Sequence, residues 1–292
     1  MNNTERLKGV LLMLGASVCF STGGLFVRLA DSTPPEAIVF WRSLIVFLFL
    51  AAVLRLKDGG TSISKLRRGG GAGMVSAAFL GATFCFFIFA VTRTTVANTA
   101  ALMSTGPLMM TAAAWLFLRE NVRTATWLAI FAALGGIVLM FADGIASGGS
   151  VSGNLLALGI PASFTVSYIL LRRAPASMDP AATAMLASLL AAAAMLPFAW
   201  PLEWPVADLA VIVTMGVLQT GTGLVLMMLA VHRLSAGELG MVGLLEMVLA
   251  PVWVWLLLGE RPTDAALAGG VVVIGAVFAN QLYALRNPLR GA

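Results

Sequence analysis

Ten runs of apolar residues, each near 20 long, cover most of this sequence, and that spacing limits what it can fold into. The runs lie at about 9–29, 36–56, 72–92, 96–118, 125–142, 153–171, 181–200, 206–231, 236–258 and 264–285, numbered here as helices 1 to 10. A hydrocarbon core roughly 30 Å thick takes about 20 apolar residues as a helix. Lipid offers no partner to a free backbone amide, so such segments are expected to be helical throughout. Composition agrees: of 292 residues, 60% are hydrophobic and 11% charged, against about 25% charged in soluble chains. A water-soluble domain this apolar would expose large greasy patches. That excludes an ordinary cytosolic enzyme, a nucleic-acid module and a disordered chain. The expectation is an all-α, polytopic membrane protein of ten transmembrane helices.

The net charge of +5 reflects topology rather than a nucleic-acid partner. With the N-terminus in the cytoplasm, Arg28, Arg93 and Arg261 fall at far-side ends and Arg42 inside helix 2. Every other Lys and Arg lies at a cytoplasmic end, as the positive-inside bias requires. Both termini are then cytoplasmic. Trp41, Trp127, Trp200, Trp204, Trp253 and Trp255 lie near span ends, where interfacial aromatics belong. Ala16-Ser17-Val18-Cys19 loosely resembles a lipoprotein cleavage site, but the repeat described next argues that helix 1 is retained. Cys19 and Cys85 lie inside apolar runs and form neither a disulfide framework nor a metal-ligand spacing.

The sequence repeats itself. Leu11-Leu12-Met13-Leu14-Gly15 returns as Leu155-Leu156-Ala157-Leu158-Gly159, an offset of 144 at which Phe20 matches Phe164 and Arg28 matches Arg172. Ala90-Val91-Thr92-Arg93 returns as Ala230-Val231-His232-Arg233 at an offset of 140. At that offset Trp115-Leu116-Phe117-Leu118-Arg119-Glu120 matches Trp255-Leu256-Leu257-Leu258-Gly259-Glu260. Ordered matches of this kind mark an internal repeat, with units at 1–146 and 147–292. Five helices per unit is an odd number, so the second copy enters from the opposite side. Such an inverted repeat of five plus five belongs mainly to secondary transporters, which open a midplane site to each side in turn.

Gly106-Pro107-Leu108 through Glu120, Leu244-Leu245-Glu246 through Glu260, and Phe40-Trp41-Arg42 resemble the signatures of EamA-type carriers of the drug/metabolite transporter superfamily. Among these the YddG-like amino-acid exporters are the leading comparison. The resemblance covers essentially the whole chain. It implies ten helices in two sets of five, around a central cavity lined mainly by helices 1, 3, 4, 6, 8 and 9. One departure is Met247, where many relatives have proline; here proline comes at Pro251.

Glu246 is the sharpest candidate for transport, about ten residues into helix 9. A carboxylate at that depth costs about 2.5–3.5 kcal/mol, so it faces a cavity or is paired. It suits a substrate amino group or a coupled proton, and equally a structural bond within the bundle. Gln219 and Thr222, three apart in helix 8, are expected to share a face with hydrogen bonds for a zwitterion. Tyr168 and Phe164 share a face of helix 6, and Phe20 is the repeat mate of Phe164. Thr22, Ser104, Phe86 and Met103 complete the candidate binding set, each with ordinary packing as the rival reading. Arg42 suits a substrate carboxylate, but helix 2 is not expected to reach the cavity, so a structural role is favoured. Pro107, Pro161 and Pro251, which remove helix bonds, together with Gly24, are read as hinges. Gly135-Gly136 and Gly269-Gly270 are expected at a tight contact of helices 5 and 10. Asn98, Glu238, Asn280 and Gln281 lie near span ends, where hydration makes polarity cheap.

The leading expectation is an inner-membrane carrier exporting amino acids, apolar or aromatic ones among them, or related small metabolites by alternating access. A multidrug or other-metabolite carrier of the same fold is the alternative. With no ATP-binding motif, transport runs down a substrate or ion gradient, as uniport or proton antiport. The expected partners are a small-molecule substrate and the bilayer, without nucleic acid, cofactor or metal; monomer and homodimer are both compatible. An intramembrane enzyme would need a nucleophile–base pair or metal ligands, and the one histidine is His232. A channel would need a continuous polar lining, and midplane polar residues are few.

Overall fold

The computed structural model describes residues 3–58, 70–94, 96–142, 150–173, 179–203, 205–258 and 264–286. Lys65, Arg67, Arg68, Trp204, Gly259, Glu260, Arg261 and Arg290, which entered the sequence reading, lie outside them. Among the described residues the chain is all helical, with no strand. Eight helices are long and apolar enough to cross a membrane: α1 (Thr4–Leu29), α2 (Pro35–Leu56), α3 (Gly70–Arg93), α4 (Asn98–Leu118), α6 (Val151–Arg173), α8 (Leu209–Ala230), α9 (Ala236–Leu257) and α10 (Asp264–Ala284). Two shorter apolar helices, α5 (Thr124–Met140) and α7 (Pro180–Met195), complete the set. The expected run at 181–200 stops short at Met195: Leu196 keeps helical backbone angles, but Pro197 has no N–H to carry the helix ladder further. Leu56, Leu116, Leu155, Leu256, Val271 and Phe278 are exposed along the outside of the bundle. In water such a surface would drive aggregation; in lipid it is the expected one.

Hydrogen bonds fix the direction of many helices. At one face, Arg6 near the start of α1 donates to Glu238 near the start of α9 and to Gln281 near the end of α10. Arg172 at the end of α6 reaches Glu120 just past α4 and the Val231 carbonyl just past α8. At the opposite face, Thr33 after α1 donates to Asp208 before α8. There too Thr94 after α3 donates to Asn154 near the start of α6. Helices α1 and α6 therefore run in opposite directions, as do α4 and α9, and α3 and α8.

Helix α3 packs along α6 and α7, and α8 packs along α1 and α2. Helices α2 and α7, α4 and α9, and α5 and α10 meet pairwise, while α4 lies against α6 and α9 against α1. Small residues set these contacts. Ser76 of α3 donates to the Ser167 carbonyl of α6 at 3.1 Å, and Ser17 of α1 to the Val242 carbonyl of α9 at 3.2 Å. Where α5 crosses α10, a Cβ at Gly136 would stand 2.9 Å from the Gly269 carbonyl oxygen, and one at Gly269 would overlap the Gly136 carbonyl. Gly135 faces open space and Gly270 faces Val248. Gly269→Ala is therefore expected to lower heat stability by about 1–3 kcal/mol through forced overpacking. Gly135→Ala leaves it unchanged or slightly raised, since alanine favours helix over glycine. Thermal unfolding of the two variants in detergent checks the contrast.

The irregular turns differ from the expected hinges. Helix α4 breaks at Ser104–Thr105, just before Pro107. Helix α9 breaks at Leu244, the residue 140 places after Ser104, and Pro251 lies inside the regular segment Leu245–Leu258. Pro161 likewise sits within the unbroken Val151–Arg173 helix. Helix α1 breaks at Thr22, directly before Gly23 and Gly24. In α8 residues Met215–Thr222 are wound as a π-helix, with i→i+5 bonding. That winding turns side chains away from the faces a regular helix would give them.

Candidate functional site

The helices enclose a cavity of about 200 Å³ between the two halves of the chain. Its apolar walls come from Met13 and Phe20 of α1, Leu80, Phe84 and Phe87 of α3, Met103 and Met110 of α4, and Ile160 and Phe164 of α6. Helix α8 adds Leu224 and Met227, and α9 adds Leu239, Leu244 and Met247. The polar side chains on the wall are Arg42, Thr83, Gln219, Thr220 and Glu246. Gly106, Pro107, Pro161, Gly240 and Gly243 contribute backbone and small surfaces. Close approach of α4 and α9 shapes one side, since a Cβ at Gly240 would stand 2.8 Å from the Pro107 Cα.

Glu246 is half-buried on α9, two residues past the break at Leu244. Its carboxylate forms no hydrogen bond or ion pair with any described residue. Gln219 accepts from the Thr220 hydroxyl at 2.5 Å. Its amide nitrogen sits over Gly23, where an added Cβ would stand 3.0 Å away. Arg42 donates from Nη2 to the Phe84 carbonyl at 2.9 Å. The result is a mostly apolar chamber with one carboxylate, one guanidinium and one amide on its wall. Apolar walls accept side chains by contact area, while the few polar groups orient what enters.

Of the candidate residues, Glu246, Gln219, Phe164, Phe20 and Met103, with Pro107 and Pro161, line this cavity. Thr222, Tyr168, Thr22, Ser104, Phe86, Pro251 and Gly24 do not. The Thr222 hydroxyl donates to the Val217 carbonyl five residues back, because the π-winding takes it off the Gln219 face; Thr220 lines the wall instead. Thr22 and Ser104 donate to carbonyls one turn back, at Cys19 and Ala101. Phe86 packs on Gly159, whose added Cβ would stand 2.9 Å from its ring. Leu80, Phe84 and Phe87 share the inward face of α3 at helical spacing. Tyr168 lines a small neighbouring void of about 10 Å³, and its hydroxyl has no hydrogen-bond partner among the described residues. Arg42 corrects the expectation that helix 2 stays away from the cavity. As the one charge deep inside its run, it was the available signal.

The polar residues at span ends also sit differently from expectation. Asn98, Glu238 and Asn280 are buried. Glu238 pairs with Arg6 at 2.5 Å and closes a capping box with Ser235 at the start of α9. Glu120 accepts from Arg172 at 3.0 Å and from the Ala236 amide at 3.4 Å. These contacts join helices of both halves at the face where the chain begins. Among the described residues no group of three or more His, Cys, Asp or Glu is placed to hold a metal ion.

An all-helical bundle with an apolar exterior and a chamber between two sequence repeats defines a multi-pass membrane transporter. The EamA-like transporter family model matches residues 7–142 and again 151–280, and the chain belongs to that family. It is 27% identical over 285 residues to the pseudopaline exporter CntI of Pseudomonas aeruginosa PAO1, spanning 93% of this chain and 95% of that one. It is 29% identical over 118 residues to the uncharacterised transporter YwfM of Bacillus subtilis, spanning 40% of each chain. One solved crystal structure shares the fold with a TM-score of 0.80 at 19% identity, over 95% of this chain and 98% of that one. The protein is a transporter, not an enzyme; its partners are a small-molecule substrate and the bilayer.

Proposed function

We propose that this chain is a carrier of the bacterial inner membrane that exports amino acids or related small metabolites by alternating access. The observation carrying this reading is the chamber between the two halves, with an unpaired carboxylate at Glu246 and the Gln219 amide on an otherwise apolar wall. The substrate would sit there, its amino group toward Glu246 and its side chain among Phe20, Phe164 and Met103. All ten helices would cross the membrane, as two inverted units at 1–146 and 147–292 with both termini cytoplasmic. Three features support the inverted repeat. The packing pattern is unchanged when each helix is exchanged for the one five later: α3 on α6 becomes α8 on α1, and α3 on α7 becomes α8 on α2. The breaks in α4 and α9 fall at matching repeat positions, Ser104 and Leu244. Repeat mates α1 and α6 run in opposite directions.

The breaks at Thr22, Ser104 and Leu244, near Gly24 and Pro107, are the proposed hinges. No nucleotide motif is present, so a gradient drives the step, and Glu246 makes a proton the candidate coupling ion. Similarity to an exporter named for pseudopaline favours a second reading within the same class, a carrier of other metabolites. Counterflow into proteoliposomes with a panel of radiolabelled amino acids and other metabolites, at matched and unmatched pH, tests both. Saturable counterflow of amino acids is expected. Uptake of non-amino-acid metabolites alone selects the second reading, and unsaturable flux rejects a carrier.

A further inference from the structure

Among the described residues the buried charges fall into two groups. Arg6 is paired with Glu238 and Arg172 with Glu120. Asp208 accepts from Thr33, and Asp179 caps α7. Arg42 and Glu246 differ: neither forms an ion pair with any described residue, nor with each other. Arg42 is 2% exposed, and its Nε has no acceptor among the described residues. One Nη2 bond to the Phe84 carbonyl holds the group, with the Phe84 ring centre 5.9 Å from Cζ. A guanidinium stays charged under all physiological conditions. A buried ion without a counter-ion is destabilising, so a purely structural arginine would be expected to resemble Arg6. Instead Arg42 lies on the wall of the same chamber as Glu246, from the other half of the chain.

We propose that Arg42 and Glu246 form a two-point site for a molecule bearing both a carboxylate and a protonated amine, with Arg42 holding the carboxylate. This deepens the carrier reading above and rests on it. The guanidinium offers paired donors that match a carboxylate's two oxygens. Glu246 supplies the complementary charge for the ammonium group. Phe20, Phe84, Phe87 and Phe164 enclose the apolar part. A molecule carrying both charges gives each wall charge its counter-ion at once. A monoamine leaves Arg42 uncompensated, and a monocarboxylate leaves Glu246 so. Selection is then by charge pattern, and the apolar walls tolerate varied side chains.

The test uses L-phenylalanine, phenethylamine and 3-phenylpropionate, which share one ring and differ in charged groups. Counterflow in proteoliposomes is measured for wild type, Arg42→Gln, Arg42→Lys and Glu246→Gln, with thermal unfolding of each ligand-free carrier. Wild type is expected to move phenylalanine and to reject the other two. Arg42→Gln loses phenylalanine affinity by on the order of tenfold to a hundredfold, and its preference over phenethylamine collapses. Arg42→Lys retains part of it. Both neutral variants unfold at the same temperature as wild type or higher, because each removes an uncompensated charge. Equal wild-type counterflow of all three compounds overturns the two-point site and leaves the carrier standing. Counterflow of no amino acid overturns the amino-acid reading, and the two-point site falls with it if Arg42→Gln also unfolds earlier. Arg42→Gln unfolding later supports two wall charges awaiting a ligand other than an amino acid.

Discussion

Glu246→Gln is expected to weaken apparent substrate affinity by on the order of tenfold to a hundredfold while leaving the fold intact. A hydrogen bond to a charged group contributes about 1.5–3 kcal/mol, and each 1.4 kcal/mol is about tenfold in affinity. Glutamine keeps the shape and an acceptor oxygen, so packing against Met247 and the α9 break is undisturbed. Because the carboxylate has no partner among the described residues, its neutralisation strands no cation in the protein, and heat stability holds or rises. That separates a binding role from a structural one, for which the same substitution would lower the unfolding temperature. If a proton is the coupled ion, the variant also loses acceleration by a pH gradient while keeping residual exchange at matched pH. Counterflow at matched and unmatched pH, beside thermal unfolding, reads all three quantities. Unchanged rates and affinity would remove Glu246 from the site.

The fold was largely legible because lipid leaves the backbone few options. Among the described residues the apolar runs match eight helices long enough to span and two shorter ones, with ends within a few residues except that α1 already starts at Thr4 and α7 stops at Met195. The chamber was legible in part. Glu246 and Gln219 stood out as polar groups deep in apolar runs, and both line it. Which face a residue takes was less legible, because regular helical spacing does not hold throughout. Thr222 stands three residues from Gln219, but the π-winding of Met215–Thr222 turns it to its own backbone. Helix α3 carries Phe79, Phe84, Phe86, Phe87 and Phe89, and their spacing cannot say which side of it faces inward. Arg42 lies on a helix that the family resemblance keeps away from the chamber, yet a charge at that depth is rarely idle. Proline proved a poor guide to the breaks. Pro161 and Pro251 are absorbed in continuous helix, whereas α9 breaks at the repeat position matching α4, without a proline there.

Arg6→Ala is expected to loosen the contact between α1 and α9 at the face where the chain begins. The Arg6–Glu238 pair ties the start of α1, in the first half, to the start of α9, in the second, and Arg6 also holds Gln281 of α10. Both charges are largely buried, with side chains 8% and 12% exposed. Removing one member of such a pair destabilises the arrangement containing it by about 3–5 kcal/mol, since the remaining charge is left buried. In a two-state carrier that loss falls on the conformation closed at this face, because separating α1 from α9 hydrates the surviving carboxylate. A bias of this size shifts the equilibrium by about a hundredfold or more. Leu239 lines the chamber three residues from the start of α9 and is 1% exposed, so a cysteine there reports opening. In a cysteine-free background, Leu239→Cys should react slowly with a membrane-impermeant maleimide applied to the N-terminal face. Adding Arg6→Ala should speed that reaction at least about tenfold, well within the expected shift. Lys8→Ala, which breaks only the exposed pair with Glu5, serves as the control, since exposed pairs contribute little. A labelling rate unaltered by Arg6→Ala, in a carrier that simply unfolds earlier, would make the pair a structural tie instead of a gate.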